Sequence, residues 1–329
     1  LIGNYTEVVS RLTVQDPPEN TFLTTNMLNI SGNDMCNLTH THPGWNTILH
    51  RFHKTEAEFL KSILSLIHTQ GKTNFPIVSL GIKDTDDSIS RVDSLCKVIT
   101  EPKVLIDIAY GNSKACLDLV KIIKRDFPQC VVYLGNFFGG SEIDKAIQAG
   151  VNGVRIGIGA GQKCLTRLET GMGFPMLSAI AETANFVHRT KIKDFAIIAD
   201  GGIKSPSDAM KCLAFGATSV CMGSIFDGTD CTPGDWKRDW RLRKYKYYYG
   251  MSSHHHIQSH HGHIREGISS EGLVKKVYYQ GLSKDVIDRF LNGYRSSLSY
   301  AGTDNLLDYK KKVNFIFMSP ASAKESYHR

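Results

Sequence analysis

Residues 195–224, "FAIIADGGIKSPSDAMKCLAFGATSVCMGS", contain a complete strand–helix–strand unit. The runs "FAIIAD" and "TSVCMGS" are apolar and end in Asp, Gly or Ser, which is typical of buried strands. Between them, "SPSDAMKCLAFG" has the apolar spacing of a helix. A helix between two buried strands returns the chain to the same edge of the sheet, so this unit predicts parallel strands.

The same unit recurs along the chain, and the repeats predict the fold. Four more clear strands are "FPIVSLGI" (75–82), "KVLIDIA" (103–109), "CVVYLGN" (130–136) and "GVRIGI" (153–158). Two weaker strands are "FLTTNM" (22–27) and "WNTILHRF" (45–52). Intervening helices are predicted at "KTEAEFLKSILSLIH", "SKACLDLVKIIKRDF", "SEIDKAIQAG" and "FPMLSAIAETANFVHR". Eight strands favour an α/β fold of the (β/α)8 TIM barrel type over a doubly wound sheet, as a single domain over residues 1–329.

The interval 228–281 interrupts the alternation of strand and helix patterns before the helical pattern "KDVIDRFLNGYRSSLSYAG". A long insertion after the last strand predicts a mobile flap or lid. Its segment 235–250, "DWKRDWRLRKYKYYYG", has a composition suited to stacking nucleic-acid bases, but a solvated hairpin or a rim contact for an anionic small molecule is the preferred interpretation. The tract "HHHIQSHHGH" (254–263) is interpreted as an exposed loop, with metal binding or pH-sensitive closure as the alternative.

Composition limits the cellular setting and the partners. The formal net charge is +7, but the basic residues are spread along the chain, so we do not expect nucleic acid as the main partner. The eight cysteines are scattered without CxxC pairs, which indicates reduced thiols in the cytoplasm. No run of 18 apolar residues and no secretory signal pattern occur, so we expect neither a membrane span nor secretion.

The loop "GIGAGQKCLT" (157–166) follows a predicted strand and contains a candidate nucleophile. Its glycines allow positive φ and close approach of a ligand to the backbone. Cys164 alone is interpreted as a small packed side chain, since most free cysteines are buried. Other polar or glycine positions at predicted strand ends are Asn26, Asp107, Asn136, Gly159, Asp200 and Gly223. Active sites of barrels are assembled at this end.

Several ordered motifs resemble the IMP dehydrogenase/GMP reductase family: "RIGIGAGQKCLTRLETGMGFPMLSAIAE", "IIADGGIKSPSDAMKCLAFGATSVCMGS", "YYGMSS", "SSEG" and "RSSLSYAGTDNLLDYKKK". The resemblance covers about residues 100–315. Within the family, the chain is more similar to GMP reductase, because the regulatory domain pair of most IMP dehydrogenases is absent. IMP dehydrogenases also use an Arg-Tyr pair in the flap, and no tyrosine occurs between Ser253 and Val277.

The resemblance implies that a thiolate attacks C2 of GMP, that ammonia leaves, and that NADPH reduces the covalent adduct to IMP. It implies a catalytic set of Cys164, Thr166 and Glu271. It implies substrate contacts from Asp200, Gly201, Gly202, Gly223, Ser224, Tyr249, Met251, Ser252 and Gln162. Cofactor contacts are implied for Asp107, Asn136 and Arg51. Carbonyls of Gly159, Gly161 and Cys164 correspond to a monovalent-cation site for K⁺, and the assembly implied is a homotetramer.

Four positions depart from the family pattern. Gln162 stands where a phosphate-contacting serine is usual, and Arg51 stands where a lysine is usual. Ile268 stands where an arginine is usual three residues before Glu271, with Arg265 the nearest substitute, and Leu28 replaces the aspartate of the early "NMD" pattern. Three alternatives to GMP reduction therefore stay open: an IMP dehydrogenase, a family member that acts on dGMP or a modified purine nucleotide, and a nucleotide-binding regulator without turnover. Cys164, Thr166 and Glu271 are all present, which argues against the regulator.

Overall fold

The computed structural model describes residues 14–25, 27, 30–162, 164–249 and 274–322, with Tyr249 and Val274 described by their backbone only. Eight parallel strands form a closed barrel in sequence order. They are β1 (Phe22–Thr24), β2 (Trp45–Leu49), β3 (Ile77–Leu80), β4 (Lys103–Asp107), β5 (Val131–Phe137), β6 (Gly153–Ile156), β7 (Ala196–Asp200) and β8 (Ser219–Met222). Pairing of β1 with β8 closes the barrel, so the predicted (β/α)8 fold is confirmed.

Helices surround the barrel. They are α1 (Asn33–His40), α2 (Glu56–Gln70), α3 (Thr85–Val98), α4 (Lys114–Asp126), α5 (Asp144–Ala149), α6 (Thr166–Thr170), α7 (Met176–Thr190), α8 (Pro206–Ala214), α9 (Ser283–Tyr300) and α10 (Leu306–Lys312). Short 3₁₀ turns lie at Gly140–Ile143 and Ser224–Phe226. The predicted helix "SEIDKAIQAG" thus divides into a 3₁₀ turn and α5.

Local sequence explains where helix α8 begins. The Ser205 hydroxyl accepts a hydrogen bond from the Asp208 backbone N–H at 3.2 Å, and the Asp208 carboxylate accepts one from the Ser205 N–H at 3.0 Å. Pro206 occupies the first helical position, where no backbone donor is needed. This capping box satisfies two otherwise free amide groups and places α8 directly after the β7 loop.

The hydrophobic core has two layers. Inside the barrel, strands β1 to β4, β7 and β8 each contribute one residue to a cluster of Leu23, Ile48, Ile77, Leu105, Ile198 and Cys221. A larger layer joins the outer strand faces to the helices, including Trp45, which is fully buried with its ring 5.2 Å from that of Phe22. Phe290 and Tyr294 of α9 pack edge-on against Phe22. Helix α9 therefore packs on the outer faces of β1 and β2, since Phe290 also contacts Trp45.

The interval between β8 and α9 contains an antiparallel sheet of β9 (Lys237–Arg238), β10 (Lys244–Tyr249) and β11 (Val274–Tyr278). The hairpin interpretation of residues 235–250 is confirmed by the pairing of β9 with β10. The backbone N–H of Gln280 donates to the Gly228 carbonyl at 2.9 Å, which joins the end of this sheet to the segment after β8. The lid role of 228–281 stays a prediction.

Among the described residues, no helix combines the length and apolar character needed to span a membrane.

Candidate active site

Polar side chains from four neighbouring strands meet at the carboxyl end of the barrel. Asp107 ends β4, Asn136 lies near the end of β5, and Asp200 ends β7. The Asn136 amide donates to the Asp200 carboxylate at 3.0 Å and to the Gly157 carbonyl, after β6, at 2.6 Å. The predicted cofactor residue Asn136 and the predicted ribose-binding residue Asp200 are therefore in direct contact.

Arg155, in β6, is the centre of this cluster and was not among the residues predicted from the sequence. Its side chain is only 4% exposed. It is ion-paired with Asp107, its Nε donates to the side-chain Oδ1 of Asn136 at 2.5 Å, and the same Nε lies 3.5 Å from the Asp200 carboxylate. The available signal was a charged residue inside the apolar run "GVRIGI", since a buried arginine requires partners.

Burial and charge oppose each other in this cluster. Burial alone would raise the pKa of Asp107, but the guanidinium groups of Arg155 and Arg51 outweigh it and hold the pKa below its ordinary value. For Arg155, burial disfavours the charged form, and the carboxylates of Asp107 and Asp200 reverse this and raise the pKa. The directions of these two pKa shifts favour the charged forms of both Asp107 and Arg155, which are paired in a low-dielectric setting.

Arg51 connects this cluster to the rim. Its Nε lies 3.2 Å from the Asp107 carboxylate, and its side chain is 32% exposed. The buried Arg91 holds the backbone there, because its guanidinium donates to the carbonyls of Arg51 at 3.0 Å and His53 at 3.1 Å. The pKa of His53 is lowered to about 4, mainly by its burial and next by the positive charge of the nearby Arg91. Two of the predicted cofactor residues, Arg51 and Asp107, are thus brought together.

The nucleophile loop lies between β6 and α6. The Cys164 sulfur is 3.1 Å from the Thr166 hydroxyl, so two of the three predicted catalytic residues are within hydrogen-bond reach. The backbone N–H of Cys164 donates to the Gly161 carbonyl at 3.0 Å, which closes a tight turn. Cys164 is half-buried. This turn presents the thiol at the strand end without burying it.

Close backbone contact joins the nucleophile loop to the loop after β7. Gly201 has φ +94°, and a Cβ at this position would lie 2.9 Å from the backbone nitrogen of Gly161. Gly202 has φ +77°, and its Cβ would lie 3.1 Å from the Ala160 carbonyl oxygen. The predicted phosphate loop therefore packs directly against the loop that carries Cys164, and glycine is required at Gly201 by both conformation and space.

Arg167 occupies the space left by two glycines. A Cβ at Gly159 would lie 2.5 Å from the Arg167 side chain, and one at Gly173 would lie 2.4 Å from it. The guanidinium donates to the Phe174 carbonyl at 2.5 Å. This packing fixes the predicted cation-binding residue Gly159 relative to the start of α6.

A second group of predicted residues lines a cavity of about 460 Å³. Gln162 of the nucleophile loop and Ser224, which follows β8, both face it. Gly223 precedes this serine, and a Cβ there would lie 2.6 Å from the Thr25 side chain, so the turn is tightly packed. The structure thus brings Gln162 and Ser224 to one site from different barrel loops.

The side chains of the remaining predicted site residues lie outside the described part of the structure. Glu271, Met251, Ser252 and the tract 254–263 lie outside the described residues, as do Asn26, Leu28, Arg265 and Ile268, and Tyr249 is described as the last backbone position of β10. Over the ranges that the structure does describe, no group of three or more His, Cys, Asp or Glu residues is arranged to hold a metal ion.

The sequence matches the family model described as IMP dehydrogenase / GMP reductase domain over residues 6–328. It is 33% identical over 241 residues to a GMP reductase of Onchocerca volvulus, covering 73% of this chain and 64% of the relative. It is 35% identical over 260 residues to an inosine-5'-monophosphate dehydrogenase of Chlorobaculum parvum, covering 76% and 51%. The match to human GMP reductase 1 is 33% identical over 241 residues and covers 73% and 68%.

The chain spans about half to two thirds of the length of these relatives. The family match nevertheless extends over nearly the whole chain, including every barrel strand and the nucleophile loop. The closed parallel barrel and the strand-end cluster agree with the fold expected from the motifs. The chain belongs to the IMP dehydrogenase/GMP reductase family of oxidoreductases.

Proposed function

We propose that this protein is an NADPH-dependent reductase that converts GMP to IMP and ammonia. The observation that carries the proposal is the 3.1 Å approach of the Cys164 sulfur to the Thr166 hydroxyl, on a loop packed against Gly201. A nucleophile beside a hydroxyl that can carry a proton is the arrangement that displacement of a poor nitrogen leaving group needs.

In the proposed reaction, the Cys164 thiolate bonds to purine C2, and the C2–N bond breaks once the amino group receives a proton. Thr166, together with Glu271 by resemblance, supplies that proton, so the nitrogen leaves as ammonia. When the adduct takes up hydride at C2, the C–S bond breaks and the thiolate is regenerated with IMP. Asp200 would hold the ribose hydroxyls, and the amides of Gly201 and Gly202 would face the phosphate.

The residues around Asp107 fit a nicotinamide cofactor. Arg155 and Arg51 hold the Asp107 carboxylate in one orientation, and each of its oxygens has a lone pair left for a sugar hydroxyl. Asn136 lies between this carboxylate and Asp200, which belongs to the substrate side. When bound, NADPH supplies the hydride. Gly159, Gly161 and Cys164 lie in one loop, where we propose that their carbonyls bind K⁺.

The second candidate is IMP dehydrogenase, because relatives of that name are as similar to the chain as the reductases are. It would use the same thiol in the opposite redox direction, with water replacing ammonia. The two candidates differ in which nucleotide is consumed and in whether the nicotinamide is oxidised or reduced.

Absorbance at 340 nm tests both. Purified protein is mixed with NADPH and GMP, dGMP or other purine nucleotides, and separately with IMP and NAD. We expect loss of absorbance with GMP, one ammonia for each NADPH consumed, and IMP as product. Increasing absorbance with IMP and NAD, and none lost with GMP, would identify the dehydrogenase instead.

The Cys164→Ala variant tests the covalent step. We expect no measurable turnover, with GMP binding within about tenfold of wild type, because the thiol makes a bond and little ground-state contact. Cys96→Ala is the matched control, since Cys96 is also half-buried but lies in α3. Turnover that survives in Cys164→Ala would end the mechanism.

Two coarser features complete the proposal. All eight cysteines are free, which supports a reducing compartment such as the cytoplasm. We propose a homotetramer from the resemblance, and light scattering on the purified protein measures its mass directly.

A further inference from the structure

The small sheet formed by β9, β10 and β11 has one buried face and one aromatic face. Successive side chains of a strand point to opposite faces, and on β10 the alternate residues Lys246 and Tyr248 are buried. Tyr245 and Tyr247 therefore lie on the opposite face, with their rings 5.7 Å apart. Tyr278 of β11 pairs with Tyr245 across the strands, at a ring distance of 6.2 Å. These three tyrosines form a row, and we call their side of the sheet the outer face.

Lysines alternate with the rings of the outer face. The Lys276 ammonium lies 3.8 Å from the centre of the Tyr245 ring and 5.2 Å from that of Tyr278. From β9, the Lys237 ammonium lies 5.3 Å from the centre of the Tyr247 ring. Tyr247 is 49% exposed, and both lysines are exposed as well. The outer face therefore presents ring surface and positive charge side by side.

An indole extends this aromatic surface at the turn between β9 and β10, residues 239–243. Trp240 is 82% exposed, and the Arg241 guanidinium lies 4.3 Å from its ring centre. A single exposed apolar side chain is ordinary, but this one belongs to the same sheet as the row of tyrosines. Aromatic rings interleaved with cations are the composition with which proteins bind single-stranded nucleic acid, because bases stack on the rings and the cations attract the phosphates.

The sheet is strongly positive. Residues 235–249 and 274–278 contain eight Lys or Arg and two Asp, a net charge of +6, against +7 for the whole chain. One of the two carboxylates, that of Asp239, is turned into the hairpin, where its side chain is 5% exposed. It accepts hydrogen bonds from the Arg243 backbone N–H at 3.0 Å and from the Tyr278 hydroxyl at 3.2 Å. Folding therefore brings together on one sheet charges that come from two separate parts of the chain.

Most of the exposed cations of the sheet have no carboxylate partner. Within the ranges that the structure describes, no salt bridge is formed by Lys237, Arg238, Arg241, Lys244, Lys275 or Lys276. Exposed lysines on the barrel helices differ, since Lys97 pairs with Asp93 on α3 and Lys284 pairs with Asp288 on α9. Like charges on one surface repel each other, so an anionic polymer that neutralises several of them at once is attracted.

We propose that the outer face of this sheet, together with Trp240, binds single-stranded nucleic acid. Bases stack on Tyr247 and Trp240. Lys237, Arg241 and Lys276 contact the phosphates. A duplex keeps its bases stacked on one another and cannot use the rings, so the surface selects single strands. Stacking and charge act on every base and every phosphate, so binding requires no fixed sequence.

Fluorescence anisotropy of labelled oligonucleotides tests the inference. Oligo(dT) and oligo(U) of about 12 nucleotides, a length within the range that one single-strand-binding module covers, are titrated with the purified protein. We expect a dissociation constant at or below about 10 µM in about 50 mM salt, and binding of a duplex of equal length that is about tenfold weaker or more. The tighter of the two single strands identifies DNA or RNA as the ligand. No binding at about 100 µM protein, or equal affinity for the duplex, would overturn the inference.

Two double variants separate stacking from charge. Trp240→Leu/Tyr247→Leu should weaken single-strand binding about tenfold or more and leave its salt dependence unchanged, because each lost ring removes a stacked base. Lys237→Gln/Arg241→Gln should reduce the slope of log affinity against log salt by about 1.4, since each phosphate contact contributes about 0.7 for a single strand. All four changed side chains are exposed, so both variants should keep the unfolding midpoint of the wild type.

Tyr300→Leu and Lys97→Gln are the matched controls, because Tyr300 is 72% exposed on α9 and the Lys97 side chain is 70% exposed on α3. Both should bind as the wild type does. A loss confined to the charge variant, with the aromatic variant binding normally, would refute stacking and identify a surface for acidic proteins or other polyanions. The titrations contain neither a purine mononucleotide nor NADPH, so their outcome is independent of the proposed reduction of GMP.

Discussion

Removal of the Arg155 guanidinium should destabilise the protein strongly and in a pH-dependent way. Arg155 is almost fully buried and contacts Asp107, Asn136 and Asp200. The Arg155→Gln variant leaves two partly buried carboxylates without their main partner. Loss of one member of a buried ion pair costs about 3–5 kcal/mol, so we expect the free energy of unfolding at pH 7 to fall by that amount.

The sign of the pH effect follows from Asp107. In the wild type its folded pKa is below its unfolded value, so pairing stabilises the protein above about pH 4 and this contribution is lost as the pH falls further. Without Arg155, burial is opposed by Arg51 alone and the folded pKa rises. The variant can then protonate this carboxyl at a higher pH, so its deficit in stability should be largest near pH 7 and shrink toward pH 4.

Urea unfolding of both proteins at several pH values between 7 and 4 measures this. Arg155→Lys keeps the charge but loses the forked geometry, and we expect a smaller loss. Arg295→Gln is a matched control, because Arg295 pairs with Asp16 at 2.9 Å while 44% exposed, and such pairs contribute no more than about 1 kcal/mol. A variant at position 155 within about 1 kcal/mol of wild type at pH 7, or a deficit independent of pH, would refute the reasoning.

Three further changes have defined outcomes. Gly201→Ala should lower both the free energy of unfolding and kcat/KM. Gly234 has the same φ of +94° but open space where a Cβ would lie, so Gly234→Ala should show only the conformational cost of about 1–3 kcal/mol. Equal losses of stability in the two variants would exclude the steric contact at Gly201. His53 should stay neutral down to about pH 4 in an NMR titration. Its folded pKa lies below the unfolded value of about 6.5, so the unfolded protein binds this proton first and stability falls progressively as the pH drops below about 6.5. Trp45→Ala should cost about 3–5 kcal/mol in urea unfolding and Trp45→Phe clearly less, since the ring is fully buried; a small effect of the alanine would contradict tight packing.

The sequence predicted the strands more completely than the helices. Each of the eight apolar runs overlaps a barrel strand, because buried parallel strands are nearly continuous in apolar residues. Helix α3 has no counterpart among the predicted helices. Its sequence "TDDSISRVDSLCKV" buries Ser88 and Arg91 beside Val92 and Leu95, so its apolar periodicity is weak. Tertiary contacts of a polar face stabilise it.

The candidate site was predictable only in part. The motif around Cys164 and Thr166 is local, so the short distance between their side chains follows from their separation by a single residue and from the turn at Gly161. The substrate and cofactor residues were predicted by resemblance as separate groups. The structure joins them through Asn136, which contacts Asp200 across 64 positions of sequence.

By itself, the sequence determined the order of the strands and helices, the parallel sheet and, through its ordered motifs, the family, because periodicity, caps and glycine turns act over a few residues. Only the tertiary structure decided that Arg155 is the common partner of three strand ends, and that lysines from β9 and β11 lie beside tyrosines on one face of the same sheet. These contacts depend on barrel closure and strand register, which bring residues such as Asp107 and Arg155 together across 48 positions. No local pattern contains that information.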